Sequence, residues 1–81
     1  MFQVAEWSAE PTCVQLERLR AEAHMSVEEL AEAVGRDPTT VSRNLSGTVV
    51  PHHRTIGAYE RIFSKRLGRK VVIKKMPGKR R

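Results

Sequence analysis

The sequence predicts a mainly α fold of four to five short helices with a short β-strand at the C-terminal end. Three observations carry this. Two short segments, each opening on a helix-capping residue and closing on glycine, follow one another between residues 26 and 47. Apolar residues recur at helical spacing on both sides of that pair. Then Val71-Val72-Ile73, a β-branched run between lysines, changes the pattern near the end.

The elements follow in chain order. Residues 1–11 form an N-terminal arm that reads as strand or helix with equal ease. Phe2 and Val4 alternate with Gln3, while Ala5, Glu6 and Trp7 suit a helix. Thr12 to Gln15 has the spacing of a capping box, and Leu16, Leu19 and Ala23 then mark a first helix ending near His24. Ser26-Val-Glu-Glu29 is a second capping box, with Met25 and Leu30 at the positions of a hydrophobic staple. Val27, Leu30, Ala31 and Val34 give this second helix its apolar face, and Gly35 ends it. Asp37 caps a third helix, Pro38 fills its first turn, Val41 and Leu45 point inward, and Gly47 closes it. A fourth helix is expected over roughly 53–67, with Ile56, Tyr59, Phe63 and Leu67 inward and Gly68 at its end. The organisation expected is therefore an arm at 1–11, a helical domain at 12–68, a strand at 69–76 and a basic tail at 77–81.

Composition narrows the function. The net charge is +6, and it is unevenly spread: residues 1–50 carry four basic and eight acidic side chains, residues 51–81 eleven basic and one acidic. A chain polarised in this way has one end suited to a polyanion. One cysteine excludes an internal disulfide and fits a reducing cytoplasm. No apolar run is long enough to span a bilayer, and the first residues lack the pattern of a signal peptide. No general acid–base pair, phosphate-binding glycine loop or nucleophile–base arrangement is legible, so no enzyme and no cofactor is expected. Cys13, His24, His52 and His53 match no metal-ligand spacing, so no metal is expected either.

Two short capped helices joined by a tight turn at Gly35-Arg36 have the geometry of a helix-turn-helix. In that motif the second helix enters the major groove of DNA, N-terminus first. The outward residues of the third helix are read as Thr39, Thr40, Ser42, Arg43 and Asn44. Short hydrogen-bonding side chains with one arginine suit base edges and phosphates.

The run Ser26-Val-Glu-Glu-Leu-Ala-Glu-Ala-Val-Gly35-Arg-Asp-Pro-Thr-Thr-Val41-Ser-Arg-Asn-Leu-Ser-Gly47 resembles the helix-turn-helix of the Cro/Xre family of phage-type repressors. An Ala four residues before a Gly, then Val-Ser-Arg ending in a small residue and Gly, carry the resemblance. It extends over roughly Leu16 to Gly68. Val27 and Asn44 depart from the family pattern, which often has Gln and an apolar residue there. The resemblance implies a lambda-repressor-like fold and a dimeric, sequence-specific repressor that controls its own operon from an inverted-repeat operator. The alternative is an antitoxin that neutralises a toxin partner protein and binds DNA as a second activity. Placed on the motif, Thr39, Thr40 and Arg43 are expected to read bases, with Ser42 and Asn44 reaching base or phosphate. Ser26, Arg36, Thr48, His53 and Arg54 are expected to hold the DNA backbone. Val71, Val72 and Ile73 are expected to dimerise through an antiparallel strand pair; pairing of the same strand with Phe2–Val4 inside one subunit is the alternative. A double-stranded DNA partner, no membrane and a cytoplasmic location complete the expectation.

Overall fold

The computed structural model describes residues 10–76. Four helices follow one another: α1 (Thr12–Glu22), α2 (Val27–Val34), α3 (Pro38–Ser46) and α4 (His53–Leu67). Helices α3 and α4 each pack against both α1 and α2. The core between them holds Leu16, Leu30, Ala31, Val41, Leu45, Ile56, Tyr59 and Phe63, with Met25 closing it from the α1–α2 corner. Burial of such side chains contributes about 1.5–3 kcal/mol each. The rings of Tyr59 and Phe63 lie nearly parallel, 13° apart, with centroids separated by 6.3 Å.

Local chemistry explains the middle of the fold. Ser26 Oγ accepts the Glu29 N–H at 3.0 Å, and Glu29 Oε1 accepts the Ser26 N–H at 2.8 Å, a closed capping box. Asp37 Oδ2 accepts the Thr39 N–H at 2.8 Å, and Pro38 occupies the first turn behind it. Gly35 ends α2 at φ 74°, a left-handed conformation that L side chains adopt only with strain.

The start of α1 differs from expectation. Pro11 is the N-cap, and no side chain caps the helix. Thr12 and Gln15 do not pair with each other, because both are engaged by the C-terminal segment 62 and 59 residues away.

That segment is the main correction. There is no β-strand among the described residues, and 70–76 runs without a ladder across α1 and α4 as a strap. Its backbone is held by side chains. Ser64 Oγ accepts the Val71 N–H and Glu60 Oε2 the Ile73 N–H, both at 2.8 Å. The Gln15 amide accepts from Lys74 N–H at 2.9 Å and donates to the Lys74 carbonyl at 3.1 Å, imitating one rung of a sheet. Thr12 Oγ1 donates to the same carbonyl and accepts the Met76 N–H, each at 2.7 Å, while its own N–H donates to Met76 O at 3.0 Å. Val71 and Ile73 enter the core of their own chain, 6% and 5% exposed, and Val72 points out at 64%. Two of the three expected dimer residues are therefore occupied within one chain. The possible pairing with Phe2–Val4 and the tail at 77–81 lie outside the described residues.

Candidate nucleic-acid interface

Helix α3 places the expected readers by its period. At about 100° per residue, Thr39 and Arg43 stand on the side opposite Val41 and Leu45, with Thr40 and Ser42 on its two flanks. All four are exposed, and both core residues are buried. Arg43 has no ion-pair partner among the described residues, so its five N–H donors are free for a base edge or phosphate.

The flanks open into two shallow grooves. Ser42 shares one, of about 500 Å³, with Ser26, Val27, Arg20 and Glu17. Thr40 shares the other, of about 390 Å³, with Arg36, Val49, His52 and Thr55. The outward face of α3 thus lies between the N-terminus of α2 on one side and that of α4 on the other. The N-terminus of α4 carries the partial positive charge that favours an anion, whereas the first turn of α2 already holds Glu28 and Glu29.

The expected backbone-holding residues differ in what they have left to give. Ser26 spends its Oγ as the cap acceptor and its N–H on Glu29, which leaves the hydroxyl proton to donate. Arg36 donates one N–H to Thr55 Oγ1 at 3.2 Å, tying the turn of the motif to the first turn of α4. Arg36 is otherwise exposed. His53 and Arg54 open α4, which has no side-chain cap and no acidic residue in its first turn. Thr48 is exposed and its hydroxyl meets Ser46 Oγ at 2.9 Å.

Asn44 is corrected. It lies in the interior, 2% exposed, instead of on the outward face. Its Oδ1 accepts the Tyr59 hydroxyl at 2.9 Å, and its Nδ2 donates to the Val49 carbonyl at 3.0 Å. The reason is angular: Asn44 sits about 60° from Val41 around the helix, on the core side, and both polar ends of its amide find partners there. It braces α3 against α4 and fixes the loop that carries Thr48. Burial pushes the Tyr59 phenol up to about 12, against a smaller opposing effect of the Arg36 charge.

Ser46 is a surface residue that the reading of the sequence passed over. It is exposed on the Thr39–Arg43 side, and its hydroxyl also donates to the Arg43 carbonyl at 3.2 Å. The signal available was its spacing, three residues after Arg43 and seven after Thr39. No group of three or more histidine, cysteine or carboxylate side chains among the described residues could hold a metal, and no described helix is long and apolar enough to cross a membrane.

A family model described as a helix-turn-helix domain matches residues 14–63, from the first turn of α1 to the fourth turn of α4. No curated protein and no solved structure matches the chain.

Proposed function

This chain belongs to the helix-turn-helix domain family, and on that premise we propose that it is a sequence-specific transcriptional repressor that inserts α3 into the major groove. The family match is consistent with the Cro/Xre resemblance of residues 26–47. The observation that carries the reading is the outward face of α3, where Thr39 in the first turn and unpaired Arg43 one turn on stand exposed on a short helix capped at both ends. Thr39, Thr40 and Arg43 read bases; Ser42 reaches base or phosphate. Ser26 holds one bordering phosphate strand, and Arg36, Thr48, His53 and Arg54 hold the other.

An inverted-repeat operator calls for two copies related by a two-fold axis, with recognition helices about 34 Å apart. Val72 is the expected dimer residue that remains on the surface. Such a pair bound across its own promoter is an autorepressor.

Selection of bound duplexes from a random pool, followed by titration of the wild type and Arg43→Ala, tests the proposal. The expected result is a two-fold symmetric consensus and a loss of about 1–3 kcal/mol at one base position for the variant. Equal affinity for selected and random duplexes across salt concentrations would sink it.

A further inference from the structure

Helix α4 carries a row of cations that starts at Arg54, beside the groove, and continues through two that the groove-reading face does not use. Arg54, Arg61 and Lys65 are spaced seven and four residues apart, so they project from one side of the helix. That side is opposite the buried stripe of Thr55, Ile56, Tyr59 and Phe63. All three cations are exposed, and none has an ion-pair partner among the described residues. The one carboxylate of α4, Glu60, faces away from the row and is held by the Ile73 N–H. Lys65 sits in the last turn, where a cation stabilises the helix dipole, but Arg54 is in the first turn, where it opposes the dipole. Helix stability therefore does not account for the row as a whole.

The row begins beside the groove shared by Thr40, His52 and Thr55, and climbs about 16 Å along α4. We propose that Arg61 and Lys65 continue from Arg54 as a ridge that grips duplex-DNA phosphates outside the half-site read by α3. The inference rests on the reading of α3 as the DNA-inserted helix. The shared chemistry is the phosphate backbone, supplied by DNA flanking the site on the same duplex or by a second duplex held alongside.

The test combines Arg61→Gln with Lys65→Gln, both exposed and away from the core, with far-UV circular dichroism confirming the wild-type fold. A second pair, Arg66→Gln with Lys70→Gln, removes the same charge from exposed positions off the row. Affinity is measured against salt on a short duplex covering only the selected site and on a long duplex with that site at its centre. Bridging is measured as capture of a labelled duplex by an immobilised one. The expected result is a log affinity–log salt slope shallower by about 1.8 for the ridge pair, two phosphate contacts at about 0.9 each. Loss confined to the long duplex assigns flanking phosphates; loss of bridging assigns a second duplex. An unchanged slope with unchanged bridging, or equal losses in the off-row pair, overturns the ridge. Sequence preference, reported separately by Arg43→Ala, keeps failure of the ridge distinct from failure of the α3 reading.

Discussion

Replacing Tyr59 with Phe tests the pin between α3 and α4 while leaving the ring in place. The Tyr59 hydroxyl donates to Asn44 Oδ1 at 2.9 Å, and both residues are buried. Removing the hydroxyl leaves Asn44 Oδ1 in the interior without its donor. An orphaned buried acceptor costs about 1–3 kcal/mol, more than the net worth of the bond. At a central loss of about 2 kcal/mol, a domain of this size melts roughly 8–16 °C lower. Thermal and urea unfolding followed by far-UV circular dichroism at neutral pH reads this directly, with the urea m-value unchanged. A companion measurement sharpens it. In an Asn44→Ala background the hydroxyl itself is the orphan, so adding Tyr59→Phe is neutral or stabilising, a coupling of about 2 kcal/mol between the two sites. Below its melting point Tyr59→Phe keeps the DNA preference of the wild type, because Thr39 and Arg43 are untouched. Additive losses in the cycle, or a single-variant loss under about 0.5 kcal/mol, would refute the pin and return Asn44 to the surface.

Other outcomes follow from the same geometry. Tyr59 also sets an alkaline limit: its folded value of about 12 lies above the unfolded value near 10, so the neutral phenol favours the folded state. Its contribution is complete below pH 10 and is lost between about 10 and 12, at no more than about 1.4 kcal/mol per pH unit, and Tyr59→Phe flattens that part of a stability–pH curve. Gly35→Ala meets nothing within 4 Å, so its cost is the left-handed backbone alone, about 1–2 kcal/mol by urea unfolding. Ile73→Ala costs about 2–5 kcal/mol if the strap fills its own core, with a melting temperature independent of protein concentration; a loss under about 0.5 kcal/mol would put Ile73 at an exposed surface instead.

The centre of the fold was legible because its signals are local. Ser26 with Glu29, Asp37 with Pro38, and the glycines at 35, 47 and 68 act within a few residues, and the structure has caps or left-handed turns at each. The Thr12–Gln15 spacing misled for the opposite reason. A threonine and a glutamine three apart look like a capping box to any local test, and only the arrival of Lys74 and Met76 assigns their polar atoms elsewhere. Val71-Val72-Ile73 was readable as extended chain with alternating faces. Which core Val71 and Ile73 would enter was not, since side chains from α1 and α4 take the place of a partner strand. Asn44 was hidden because its type argues for the surface while its angle argues for the interior. Angle wins once Tyr59 supplies a donor fifteen residues on.

The strap also imposes an order of events on the making of this protein. A four-helix chain joined by short turns is built mostly from near neighbours, a topology that folds fast. Its slowest closure is the return of residues 74–76 to Thr12 and Gln15, across nearly the whole chain. During synthesis α1 to α4 leave the ribosome first, and α1 meets its last partners only after Met76 has followed. Until then Thr12 and Gln15 have water for partners, and the places of Val71 and Ile73 in the core stand open. Helix α3, packed against that same α1, gains its full rigidity only once the strap has closed.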